Sequence, residues 1–128
     1  MKRIFTLIIF VAMLTIGGFA EAHWMEFTEA VDGTKAYWDV GTLTYCCAGT
    51  QNSASLWTKY ELPSGDYWID HEELLRSTKQ QKLVSAHHYN SKGVVIYSWN
   101  TPTAWTDIVP GSLGDRLFQI LFSEQKTY

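Results

Sequence analysis

Hydrophobic and polar positions alternate along most of this chain, and the alternation gives way to a helical period only near its end. His23–Ala30 reads HWMEFTEA, with Met25 and Phe27 on one side and Glu26 and Thr28 on the other, which predicts a strand. Val31–Lys35 centres on Asp32-Gly33, a pair suited to tight hairpins, and Ala36–Asp39 is the return strand. Val40-Gly41-Thr42 breaks it, Leu43–Cys47 is apolar without a clear period, and Ala48–Ser53 has loop composition. Ala54–Leu62 predicts a further strand, with Leu56, Thr58 and Tyr60 opposite Trp57 and Lys59. Pro63–Asp66 is a turn. Tyr67–Thr78 carries two signals. Ile69, Glu72, Glu73 and Arg76 suit a helical turn, whereas Tyr67, Ile69 and His71 alternate, and the β-like neighbours favour a strand. Ser77–Gln80 turns the chain into a strand over Gln81–Tyr89, with Leu83, Ser85 and His87 on one face and Val84, Ala86 and His88 on the other. Asn90–Gly93 closes another hairpin, and Val94–Trp99 (VVIYSW) is the segment richest in β-branched and aromatic residues. Asn100–Ala104 is a loop containing Pro102.

The period changes across Trp105–Phe122. Trp105, Ile108 and Val109 run into Pro110-Gly111, Ser112 is a good N-cap, and Asp115 gives a relative of the capping box. Leu113, Leu117, Ile120 and Leu121 then recur at helical spacing, with Phe122 closing the end. Several strands joined by hairpins and one terminal helix make an α+β pattern: a meandering antiparallel β-sheet with the C-terminal helix packed on one face. The polar tail Glu124–Tyr128 is expected to fray.

Met1-Lys2-Arg3, an apolar run from Ile4 to Phe19 and Ala20-Glu21-Ala22 predict a secretory signal peptide over residues 1–22, with one domain over 23–128. The expected location is the periplasm, the cell surface or the medium. Without the leader the chain is mildly acidic and has no basic stripe, which argues against a nucleic-acid partner. No other segment is apolar enough to span a membrane. Trp and Tyr are abundant and scattered, as in a small β-rich core filled with large side chains. The two cysteines, Cys46 and Cys47, are adjacent. Two reduced thiols, a strained vicinal disulfide and an interchain link are the available states. The small-hydrophobe behaviour of free Cys favours the reduced, partly buried form.

Four stretches carry a family resemblance. Trp24, the Asp32-Gly33 turn and Trp38-Asp39 form an opening hairpin, and Trp57-Thr58-Lys59-Tyr60 follows as a strand. Tyr89-Asn90-Ser91-Lys92-Gly93 matches a Tyr-Asp-x-x-Gly hairpin, and Trp105–Ser112 matches a Trp leading into Pro-x-Ser and a helix. In order and spacing these resemble the surface-adhesin protein E-like family of exported bacterial domains, over most of the mature chain. The resemblance implies structural signature roles for Trp24, Asp39, Trp57, Tyr89, Gly93, Trp105, Pro110 and Ser112. It implies the same sheet-and-helix fold and a protein-binding role; the namesake is a dimer that binds host matrix proteins such as vitronectin and laminin. The family usually carries one Cys ahead of the Leu83 strand and another at the helix end, and these pair. By spacing those positions are Arg76 and Phe122 here, so the bridge is missing as a unit. Closing that loop is worth roughly 3–4 kcal/mol in the chain-entropy model. The family's lipidation Cys is also missing.

Candidate chemistry is sparse. His87 and His88 face opposite sides of a strand and cannot chelate one ion together. His71 and Glu73 share a face within the acidic cluster Asp70–Glu73, which gives at most a partial metal site. Cleavage after Ala22 would leave His23 as the N-terminus, whose amine and imidazole suit copper if His71, His87 or His88 supplies another ligand. No Ser stands in a nucleophile elbow and no cofactor motif is present. The first expectation is an exported, non-enzymatic interaction domain, with exposed Trp and Tyr as contacts and sheet edges available for a protein partner or a homodimer. The alternative is a small periplasmic copper- or zinc-dependent enzyme built on His23 or the Asp70–Glu73 cluster.

Overall fold

The computed structural model describes residues 23–46 and 52–123. The expected leader over 1–22, Cys47, most of the loop that follows it and the tail from 124 lie outside them. The elements are β1 (Trp24–Glu29), β2 (Lys35–Asp39), a 3-10 turn (Val40–Thr42), β3 (Thr44–Cys46), β4 (Ser53–Glu61), β5 (Tyr67–Leu75), β6 (Gln80–Tyr89), β7 (Val95–Trp99), β8 (Thr106–Asp107) and α1 (Leu113–Ser123). The eight strands form one antiparallel sheet in the order β1-β2-β4-β5-β6-β7. β3 pairs beside β2 on the same edge of β4, and β8 pairs beside β7 on the same edge of β6. The expected α+β architecture is the one that forms. Tyr67–Leu75 is a strand throughout, because its alternating side chains find long antiparallel partners on both β4 and β6.

Three hairpins share one design and stand side by side at one end of the sheet. In each, a glycine with positive φ closes the turn: Gly33 (φ 93°), Gly65 (φ 92°) and Gly93 (φ 83°). Each glycine amide donates to a carbonyl three residues back, on Ala30, Leu62 and Asn90 respectively. The turns also touch one another, since the Ser91 amide donates to Asp66 Oδ1 at 3.0 Å. A Cβ at Gly65 would lie 3.1 Å from Ser91 Cβ. Gly65→Ala therefore combines an unfavourable backbone conformation with a crowded neighbour. It is expected to cost about 1–3 kcal/mol of stability, read by urea denaturation.

The pleat divides the side chains into two faces. Ala54, Leu56, Thr58 and Tyr60 of β4 stand beside Leu74, Glu72, Asp70 and Trp68 of β5. α1 covers part of this face, burying Ala54, Leu56, Leu74, Ile108, Leu117, Leu121 and Phe122, with Phe27, Trp38, Leu43, Tyr45 and Phe118 packed around them. Leu117 is wholly inaccessible. The stripe expected on α1 is corrected at two positions: Leu113 and Ile120 are only half-buried and lie outside the core cluster, and Phe118 packs against it. Tyr45 OH fastens the far end of the helix by donating to the Leu121 carbonyl at 2.6 Å.

The helix begins as its capping signals require. Ser112 Oγ accepts the Asp115 amide at 3.2 Å, and Asp115 Oδ2 accepts the Gly111 amide at 2.9 Å. Lys79 Nζ lies 3.0 Å from the other oxygen of Asp115. The Gly111 amide and then Lys79 hold this carboxyl below its usual range.

Register shifts account for the remaining departures. Between His71 and Glu72 the partner on β6 jumps from Ser85 to Leu83, so Val84 is skipped. This bulge puts Leu83 in register with Glu72, not on the His87 face that uninterrupted alternation predicts. A shift between Glu26 and Thr28 likewise leaves Met25 exposed while Phe27 packs on the core. Cys46 is exposed and disulfide-bonded, which corrects the expectation of a reduced, partly buried thiol.

Candidate functional site

The helix-free face is lined by rings that cover one another. Trp57 stacks on His71 at a centroid distance of 5.0 Å and on His87 at 6.1 Å. Tyr67 and Tyr89 stack at 4.9 Å, and Lys59 reaches over Tyr67 at 4.8 Å and Tyr37 at 5.8 Å. Lys82 sits over Trp105 at 5.1 Å and pairs with Glu73 at 3.6 Å. None of the six tryptophans is exposed and none is fully buried. The expectation that exposed Trp side chains form the contact surface is therefore corrected: cross-strand stacking covers Trp57 and Trp68, Lys82 covers Trp105, and the other three are half-buried. Among the described residues Tyr97 is the one exposed aromatic.

The longest run of exposed apolar side chains among the described residues lies at one sheet edge. Val94, Val95, Ile96 and Tyr97 are each between 51% and 59% exposed and are consecutive in the chain. β7 is the last strand on its side and pairs only with β6 among the described residues, so its outer backbone donors and acceptors face solvent. An apolar edge with an open row of N–H and C=O groups is a template for another strand, here on either side of the register shift at Ile96. The opposite edge, β1, also carries a register shift and, unlike β7, is blunted by the exposed Glu26 and Glu29.

Most of the signature positions have local structural tasks. Trp24 pairs with Asp39, whose Oδ1 accepts the His23 and Gly41 amides at 3.2 and 2.9 Å. Gly93 closes its hairpin while Asn90 Oδ1 accepts the Lys92 and Val94 amides. Pro110 is exposed in the turn that leads to Ser112.

The pleat also splits the Asp70–Glu73 cluster. His71 and Glu73 lie on the helix-free face, but Ser55 Oγ is hydrogen-bonded to His71 Nε2 at 2.8 Å and Glu73 faces Lys82. His87 Nδ1 meets Ser98 Oγ at 3.0 Å, and His88, on the other face, stacks on Trp68 at 4.5 Å. His23 precedes β1, three strands from His71 and four from His87, or roughly 14 and 19 Å at the usual strand spacing. The sheet thus keeps the copper-brace partners apart. No group of three or more His, Cys, Asp or Glu side chains gathers for a metal among the described residues.

Sequence reasoning did not anticipate the carboxyl pair on the helix side. Glu72 is 8% exposed and accepts hydrogen bonds at Oε2 from the Thr58 hydroxyl and, at 2.7 Å, from Tyr60 OH. Asp70 stands next to it on the same face, and no donor among the described residues reaches its buried Oδ1. Burial, then the neighbouring Glu72, pushes the Asp70 carboxyl up to about 7. Burial also raises Glu72, against the two hydroxyl hydrogen bonds that lower it. Tyr60 is raised well above its ordinary value by burial and then by Glu72. The available signal was phase: Asp70 and Glu72 alternate in step with Leu74, the most buried residue of β5.

Comparison of the chain with protein-family models, with curated proteins and with solved structures gives no match. No helix among the described residues is long and apolar enough to cross a membrane.

Proposed function

We propose that this is an exported, non-enzymatic interaction domain that binds a partner protein along β7 by adding an extended segment of that partner to the sheet. One observation carries the reading: the most apolar strand of the chain is an open, exposed edge strand, with Val95, Ile96 and Tyr97 each more than half exposed. Strand addition satisfies the edge backbone, and the aliphatic side chains supply the contact area. A helix or a small solute would leave the open donors and acceptors unpaired. The leader-like first residues support export to the periplasm or cell surface, and the resemblance to protein E-like adhesins supports a protein as the occupant. A homodimer would use the same edge and competes with that partner.

The test is binding of the purified chain to immobilised vitronectin and laminin, with size measured by light scattering. The chain is expected to bind at least one of them as a monomer. Ile96→Lys is expected to weaken binding by about tenfold or more, since it puts a charge in the apolar contact. Val31→Lys, a more exposed aliphatic position in the first hairpin, should leave binding unchanged. Retained binding by Ile96→Lys argues against this edge. Absence of binding to either protein argues against the adhesin-like partner, and a stable dimer dissociated by Ile96→Lys assigns the edge to self-association.

A further inference from the structure

The histidines on β5 and β6 are all engaged: His71 with Ser55, His87 with Ser98, and His88 against Trp68. His23 differs. Its backbone is fixed, because the amide donates to Asp39 Oδ1 at 3.2 Å and the carbonyl accepts the Val40 amide at 3.3 Å. Its side chain is exposed and lies beside Gly41, where a Cβ would stand 3.7 Å from His23 Cδ2. Its ring nitrogens have no hydrogen-bond or ion-pair partner among the described residues.

Met25 follows two residues on, so the pleat returns it to the side that carries His23. It is the one methionine among the described residues, and it is 53% exposed although a thioether ordinarily prefers the core. His23 and Met25 line one groove of about 480 Å³ with Trp24, Val40 and Gly41. At this spacing the two Cα atoms are about 7 Å apart, and both side chains are long enough to converge on one ion between them.

The donors are an imidazole nitrogen and a thioether sulfur, both neutral. Sulfur of this kind selects Cu(I) over the harder divalent ions, and imidazole accepts it as well. Zinc is poorly matched, since its sites take three or four protein ligands and no Asp, Glu, Cys or second His lines the groove. Asp39, behind the groove, is buried and spends Oδ1 on the His23 and Gly41 amides. A monovalent closed-shell ion tolerates few ligands, and it costs less than a divalent one to hold beside apolar atoms.

We propose that His23 and Met25 form a surface clamp for a cuprous ion at the start of β1, with a ring nitrogen and the thioether sulfur as the protein ligands. The side facing solvent stays open, which suits an ion that is taken up and handed on. The clamp sits at the β1 edge, at the other end of the strand order from β7, and is independent of the strand-addition edge.

The test is titration of the purified chain with Cu(I) against a chromophoric Cu(I) chelator. Ascorbate keeps the metal cuprous and leaves the Cys46 disulfide intact, and Zn(II) is titrated in parallel. A single Cu(I) per chain is expected, with no Zn(II) bound at the same concentration. Met25→Leu and, separately, His23→Gln should each weaken Cu(I) binding by about tenfold or more, because each leaves a lone donor. His71→Gln and Cys46→Ser should leave the affinity unchanged. Absence of Cu(I) binding overturns the clamp, as does binding that survives in both ligand variants. Loss of the ion in Cys46→Ser would place it on thiols and overturn the clamp too, and so would Zn(II) binding as tight as Cu(I).

Discussion

Asp70→Asn is expected to make this protein more stable above pH 7, although it removes a charge from an acidic residue. The sign follows from linkage. The Asp70 carboxyl titrates at about 7 in the folded chain against 3.8 as a free side chain. The folded state therefore holds its proton more tightly than the unfolded one, and stability is lost as pH rises from about 4 to about 7 and stays lost above that. At ~1.4 kcal/mol per unit the loss approaches 4 kcal/mol, a ceiling that the side chain's residual contact with solvent lowers. Glu72 is shifted in the same direction and adds to the slope. Asn keeps the shape and cannot ionise. Urea denaturation at pH 4.5 and 8.5 should find the variant and the parent nearly equal at the lower pH, with the variant ahead by several kcal/mol at the higher. Equal stability at pH 8.5 would mean that Asp70 ionises without cost in the folded protein.

Leu117→Ala carries the second large effect. Leu117 is inaccessible and sits where α1 meets Leu56 and Leu74. Truncation removes apolar contact from both the helix and the sheet and leaves a cavity that the surrounding strands cannot easily fill. The expected loss is about 2–5 kcal/mol, measured by denaturation near pH 5, where the Asp70 carboxyl is largely neutral. A loss below about 1 kcal/mol would show that the helix does not close the core.

Much of this architecture was legible in the residues. Asp32-Gly33, Pro63–Asp66 and Asn90–Gly93 mark their turns because φ > 0 needs glycine there, and Ser112 with Asp115 marks the helix start. What alternation cannot show is a skipped residue. The shifts at Phe27, Val84 and Ile96 each break the phase without any composition signal, since any side chain can occupy a bulge. Burial was also hard to place. Val94–Trp99 is the most apolar strand and sits at an exposed edge, while Asp70 and Glu72 face the helix. Hydrophobicity reports a preference for the interior, but strand order decides which strand stands at the rim. The carboxyl pair was not legible because two acids look alike on either side of a strand until the helix is placed.

Arg76 and Phe122, the two positions expected from sequence to mark a missing bridge, are in contact: the guanidinium lies 5.9 Å from the ring centroid, and Phe122 is buried between Tyr45 and Phe118. A covalent clasp would have formed only after the chain met an oxidant. Packing has no such dependence, and the one disulfide-bonded residue described, Cys46, sits exposed on the three-residue β3, away from the core. For an exported chain this changes the timing of folding. Nothing in the seating of α1 waits for the oxidising side of the membrane, so the sheet and helix are free to assemble as soon as the chain is complete. On the proposed export, translocation would therefore have to outrun folding, or the chain would have to be kept open until it crosses.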